Sequence, residues 1–125
     1  MPRETVTPQG APKPSGAYSP VVRAGPFLYV SGQAAIDPDT GQIVGATTAE
    51  QVERTMRNIE LQLRGAGASL DDVVKTTVYL ADIGDFDEFN EAYAAFFPNG
   101  APARTTIGAG LAGIRVEIDV VAYTG

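Results

Sequence analysis

The chain has 125 residues, 44% hydrophobic and 19% charged, with 15 acidic against 9 basic side chains and a net charge of −6. That is the composition of an ordinary soluble protein, and residues 1–125 are expected to form one domain. Cysteine and histidine are both absent, which excludes disulfides, zinc sites, thiolate or imidazole nucleophiles and histidine-based triads.

Chemistry must therefore come from carboxylates, Arg, Lys, Tyr, hydroxyls, backbone groups or a held water, and neither metal nor cofactor is expected. The acidic balance disfavours nucleic acid, which needs clustered Lys and Arg against its phosphates. No run of about 18 apolar residues is present, and the start lacks a signal-peptide core, so a cytoplasmic protein without membrane attachment is expected.

Residues 1–20 are rich in Pro and Gly, which fits either a mobile tail or an ordered irregular arm. Tyr18, near its end, is expected to pack with its hydroxyl partnered. Phe27-Leu28-Tyr29-Val30 reads as a strand, and Ser31-Gly32-Gln33 as its end or a bulge where glycine lets another group approach closely. Asp37 to Gly41 reads as a solvated turn rather than a metal loop.

A first helix is expected from Ala49 to Arg64. Thr48 and Gln51 would form its capping box, and Val52, Met56, Ile59 and Leu63 its buried stripe. Glu53–Arg57 and Glu60–Arg64 would be outward pairs, with Gly65 and Gly67 as the stop.

Asp72 to Leu80 is a β-branched run expected as an interior strand, with Lys75 near an edge or interface. A second helix begins near Asp85, its first turn acidic and its stripe formed by Phe86, Phe89, Tyr93 and Phe96 or Phe97. Asn90 lies beside that stripe and is expected to be half-buried with its amide committed to a partner.

The chain ends in two strands joined by a glycine-rich loop read as a hairpin. Arg104 and Thr106 share a face of the first. In the second, Ile114, Val116, Ile118 and Val120 alternate with Arg115, Glu117 and Asp119. Arg104 and Glu117 are then either a functional pair on neighbouring strands or a plain cross-strand ion pair worth about 0–1 kcal/mol. Gly108 to Gly113 matches G-x-G-x-x-G, but a dinucleotide fingerprint must open a helix and here a strand follows, so the match is rejected. The element order implies an α+β fold of two layers, two helices on one face of a mixed sheet. The bare face would need covering, which suggests a homo-oligomer.

Several blocks together resemble one family over the full length. They are Pro12-x-Pro14-x-Gly16-x-Tyr18-Ser19-Pro20-x-Val22, Val30-Ser31-Gly32-Gln33, Asn58-Ile59, and Ala66-Gly67-Ala68-Ser69 with Asp72-Val73-Val74-Lys75. Phe86-x-x-x-Asn90-x-x-Tyr93-x-x-Phe96-Phe97, Pro102-Ala103-Arg104-Thr105 and Val116-Glu117-Ile118 complete them. The pattern is similar to the reactive-intermediate deaminases (RidA/YjgF family), also called L-PSP endoribonucleases.

The resemblance implies a chorismate-mutase-like fold, a homotrimer with intersubunit sites, and hydrolysis of 2-imino acids such as 2-iminopropanoate or 2-iminobutanoate to 2-keto acids and ammonia. Arg104 would hold the substrate carboxylate and Glu117 would position water. Tyr18, Ser31 and Asn90 would line the pocket, with backbone groups near Gly32 and Thr106 touching the ligand. The alternatives are a non-catalytic binder of small carboxylates and, more weakly, a ribonuclease. Thr106 stands where the family commonly has Cys, Leu111-Ala112 where it has Leu-Pro, and the 108–113 loop is shorter and richer in Gly.

Overall fold

The computed structural model describes residues 2–125. One mixed sheet has the order β1-β2-β3-β6-β4-β5. These are β1 (Glu4–Val6), β2 (Val21–Ala24), β3 (Phe27–Gln33), β4 (Val73–Leu80), β5 (Ala103–Gly108) and β6 (Val116–Tyr123). The helices are α1 (Thr48–Gly65) and α2 (Phe86–Ala94). Only β4 and β5 run parallel; the other neighbours are antiparallel. The two-layer α+β expectation is met.

Strand alternation sets the two faces. Leu28, Val30, Val78, Leu80, Val116, Ile118, Val120 and Ala122 point to the helices, where Val52, Met56, Ile59 and Leu63 of α1 and Phe89, Tyr93 and Phe97 of α2 complete the buried core. Each such aliphatic or aromatic side chain contributes about 1.5–3 kcal/mol on full burial. The other face carries Tyr29, Phe27, Tyr123 and Ile107, all exposed. It is an apolar surface that this chain leaves uncovered.

Four local expectations are corrected. The N-cap of α1 is Thr47, not Thr48: Thr47 Oγ1 accepts from Glu50 N, and Glu50 Oε1 accepts from Thr47 N at 3.0 Å. Thr48 and Gln51 have the same spacing but other partners, since Thr48 Oγ1 donates to Asp85 Oδ2 at 2.8 Å. Glu60 pairs with Arg57 at 2.9 Å instead of with Arg64, because the guanidinium of Arg57 reaches both Glu53 and Glu60.

The glycine-rich loop is not a hairpin. β5 pairs with β4 (Arg104 opposite Thr76), and β4 pairs with β6 (Thr76 opposite Val120), so β4 lies between the last two strands. Residues 109–115 pass over its end, held where Ala109 N donates to Leu80 O and Ala81 N to Arg115 O. Asn90 is exposed and has no hydrogen-bond partner among the described residues. The buried stripe of α2 runs Phe89-Tyr93-Phe97, and one residue past Phe89 the helix has already turned outward.

Proline and glycine had left the N-terminal arm open. Here it contributes edge strand β1 and buries Pro8, Ala11 and Pro20.

Candidate functional site

Ser31 and Gly32 are a β-bulge: two residues of β3 oppose one of β6 between the Val30–Val120 and Gln33–Ile118 pairs. The bulge turns the Gly32 backbone toward the side chain of Glu117. A Cβ at Gly32 would collide with Glu117 Oε2 and lie 2.9 Å from its Cδ. The φ of Gly32 is not in the left-handed region, so glycine is required for room and not for backbone conformation.

Glu117 and Gly32 sit in a cleft of about 260 Å³ also lined by Pro12, Tyr18, Gln33 and Ala112. Glu117 is half-buried, and its carboxyl is held above the ordinary value first by burial and then by the negative charge of Asp119. A carboxylate so placed is a stronger base than one in water. The arm wall is fixed by Ser31, whose Oγ donates to Ser19 O at 2.7 Å and whose N–H donates to Pro20 O. Tyr18 is exposed on that wall, its hydroxyl accepting from Ser15 N at 3.1 Å.

Arg104 is elsewhere. It lies on the helix side of edge strand β5, its guanidinium 5.0 to 5.6 Å from the ring centres of Tyr93, Phe89 and Phe86. Tyr93 is anchored beneath by a 2.8 Å hydrogen bond to Thr76 Oγ1. Glu117, at the opposite parity of β6, faces the open side of the sheet. The cross-strand ion pair is therefore overturned: strand β4 and the thickness of the sheet separate the two groups. Among the described residues the ion pairs are those of Arg57 alone.

The chain thus carries two candidate half-sites. One is a small carboxylate-bearing cleft whose lining includes no Lys or Arg. The other is an aromatic-backed guanidinium at the sheet edge, with Thr106 beside it on the same face. The hydroxyl of Thr106 is buried without a partner. A larger depression of about 550 Å³ lies between α1 and α2, lined by Glu50, Glu53, Glu60 and Phe96, but it contains neither half-site. Among the described residues no group of acidic side chains is arranged to hold a metal.

The supports of the cleft were missed in the sequence. Gln51, Thr55, Asn58 and Gln62 are buried polar residues on α1, each one position before a member of the apolar stripe. Asn58 Nδ2 donates to Ala34 O and Ile36 O, while its Oδ1 accepts from Arg54. Gln62 Nε2 donates to Pro12 O at 3.0 Å and to Gln33 Oε1. Gln51 Nε2 donates to Gly45 O, and its Oε1 accepts from Arg115 N. The signal was present in their i, i+4, i+7, i+11 spacing, which repeats that of the apolar stripe.

Residues 8–124 match the family model described as Endoribonuclease L-PSP. A RutC family protein of Pyrococcus abyssi is 42% identical over 98% of both chains. A 2-iminobutanoate/2-iminopropanoate deaminase of Rattus norvegicus is 40% identical over 98% of this chain and 91% of that one. Among solved structures, E. coli TdcF with bound serine superposes with a TM-score of 0.91 at 29% identity, covering 98% of this chain and 99% of that one. With its sequence, its fold and its near full-length relatives in agreement, the chain belongs to the RidA/YjgF (L-PSP) family.

Proposed function

We propose that the protein hydrolyses small 2-imino acids to 2-keto acids and ammonia, in sites assembled between copies of a homotrimer. The observation that carries this reading is the division of the site: a cleft of about 260 Å³ with a basic carboxylate and no cation, and an unpaired guanidinium on another surface of the chain. A carboxylate-bearing substrate would need a cation beside the cleft, and Arg104 of a neighbouring copy can supply it. The relatives named as iminobutanoate and iminopropanoate deaminases support the same chemistry.

The reaction suits these residues. The Arg104 fork grips the substrate carboxylate through two parallel N–H donors, and the Tyr93, Phe89 and Phe86 rings keep it planar and oriented. Water beside Glu117 attacks the imine carbon and gives up its proton to the carboxylate. Glu117 returns that proton to nitrogen, giving a carbinolamine. It then takes the hydroxyl proton and delivers it to the amine as the C–N bond breaks, so that a carbonyl forms and ammonia leaves. The imine is already electrophilic, so the balance closes with water alone. Tyr18, Ser31 and Gly32 shape the cleft wall, and Thr106 supplies groups at the Arg104 side. Asn90, exposed on α2, would join the site only from the Arg104-bearing subunit.

A threonine dehydratase generating 2-aminocrotonate, with semicarbazide competing for the imine, tests the activity. The parent protein should suppress semicarbazone formation and Arg104→Ala should not; full activity in Arg104→Ala refutes its role. Mixing unfolded Arg104→Ala and Glu117→Gln chains and refolding them together should restore about a quarter of parental activity, because a random neighbour pair supplies both intact groups that often. No recovery would refute the shared site. A second reading, binding of small carboxylates without turnover, draws on the relative solved with bound serine. It predicts saturable calorimetric heats and no deamination.

A further inference from the structure

On the open face of the sheet, Glu117 is followed two residues later by Asp119, so both carboxylates leave β6 on the same side, about 7 Å apart along the strand. Tyr79 of β4 sits directly opposite Glu117 in the register, and its hydroxyl reaches past to donate to Asp119 Oδ2 at 3.3 Å. Asp119 does not line the cleft and makes no ion pair among the described residues. It is half-buried, held by a phenol, and adjacent to the carboxylate that does the proposed chemistry.

We propose that Asp119, oriented by Tyr79, is a positioning residue for Glu117: a negative charge held on the same face of β6, beside the cleft carboxylate, that acts on its proton transfer. Its role in catalysis rests on the deaminase reading; its electrostatic action does not. The surroundings leave Asp119 as the charge that acts. From β3 the bulge presents only the backbone of Gly32 to Glu117, and from the arm the cleft receives the neutral phenol of Tyr18. Arg115 is exposed before β6 begins. Lys75, on the same sheet face, commits its ammonium to Thr105 Oγ1 and Thr76 O. Tyr79 in turn feels Asp119 first among the groups that push its own ionisation upward, so at neutral pH the phenol keeps the proton that it donates to Asp119.

The arrangement divides the work of two carboxylates. Asp119 accepts the phenol's hydrogen bond and takes no part in proton transfer, while Glu117, which has no such donor, takes up and returns the proton. The same logic predicts that neutralising Asp119 leaves substrate binding nearly intact, since Asp119 touches no substrate, and lowers the turnover step.

The test reads the carboxyl directly. In protein labelled with 13C at glutamate side-chain carboxyls, the Glu117 signal is assigned by its loss in Glu117→Gln and followed against pH. Asp119→Asn should move its midpoint to lower pH, and Tyr79→Phe should move it the same way by less. An unmoved midpoint in Asp119→Asn overturns the proposal whether or not the protein is a deaminase. With imine hydrolysis in hand, Asp119→Asn should lower kcat roughly tenfold, with KM within about twofold, and carry the acid limb of the rate profile to lower pH. A tenfold rise in KM with kcat unchanged would instead make Asp119 a binding group and refute the assignment. Thermal unfolding of both near-isosteric variants checks that the fold is kept.

Discussion

Gly32→Ala separates the site from the fold more cleanly than any substitution of a charged residue. The new methyl would collide with Glu117 Oε2 and stand 2.9 Å from Cδ and 3.1 Å from Cγ, where ordinary contact begins at 3.4 Å. The Glu117 carboxylate must therefore recede by roughly 1 Å, a misplacement of the kind that costs about 10²-fold in rate when a reacting group is involved. Stability should barely change, within about 1 kcal/mol either way. Glycine to alanine at an allowed φ gains about 0.4–1 kcal/mol through the unfolded chain, and the group displaced is the end of a flexible side chain. Imine hydrolysis followed by semicarbazide competition gives kcat/KM, and urea unfolding gives stability. Gly32→Ala/Glu117→Gln should be no slower than Glu117→Gln alone, because the two changes disable the same group. Parental kcat/KM in Gly32→Ala would refute the reasoning, and so would a loss of several kcal/mol of stability.

Glu117→Gln should raise Tm at pH 7. The carboxyl of Glu117 titrates above its unfolded value, so the folded chain binds that proton more tightly and stability falls as pH rises through the raised value. The penalty is absent below the ordinary carboxylate range and complete above the folded value. Equal or lower Tm at pH 7 would contradict this, and the difference between variant and parent should vanish near pH 3, about a unit below the ordinary glutamate value. Asn58→Ala removes the donors to Ala34 O and Ile36 O; Ala34 O keeps the Ile36 N–H, but Ile36 O is left without that partner. A loss of about 1–3 kcal/mol in urea unfolding is expected, and no loss would refute the role. Arg104→Lys should keep Tm within a few degrees yet lose about 10²-fold in kcat/KM, since a point ammonium replaces neither the fork nor the ring stacking.

The sequence was most legible where one periodicity acted alone. The α1 stripe, the alternation of β6 and the turn-bounded β3 read directly because burial on one face leaves a single possible phase. It was misleading where two solutions share a pattern. Thr47/Glu50 and Thr48/Gln51 are both spaced for a capping box, and only the reach of Asp85 to Thr48 decides between them. The final strands looked like a hairpin because nothing local records that β4 pairs between them, through contacts such as Thr76 with Arg104 and Thr76 with Val120 that are distant in the chain. Arg104 and Glu117 could be singled out from the sequence, but their placement on opposite faces follows from that long-range pairing. The buried amides of α1 were overlooked for a different reason: their regular spacing is in the sequence, but polar residues at helical spacing default to solvent, and only the loops they hold reveal the exception.

The open face and the incomplete cleft pose one physical problem. A sheet face carrying exposed Phe27, Tyr29, Ile107 and Tyr123 favours association, and a basic carboxylate in a cleft without a cation favours an incoming positive group. A single contact with another copy would answer both, provided that it brings the β5 edge of one chain over the Glu117 side of the next. Those are different surfaces of the molecule. A contact between unlike patches is heterologous, and heterologous contacts either close into a ring or run on as a fibre. Under the proposed assembly, ring closure would give each chain one complete site, made of its own Glu117 and its neighbour's Arg104, and would leave no half-site unused. The aromatic backing of Arg104 fits this proposed arrangement: the rings of Phe86, Phe89 and Tyr93 hold the guanidinium at the edge of its own chain, so that assembly would not need to supply the entropy of ordering it.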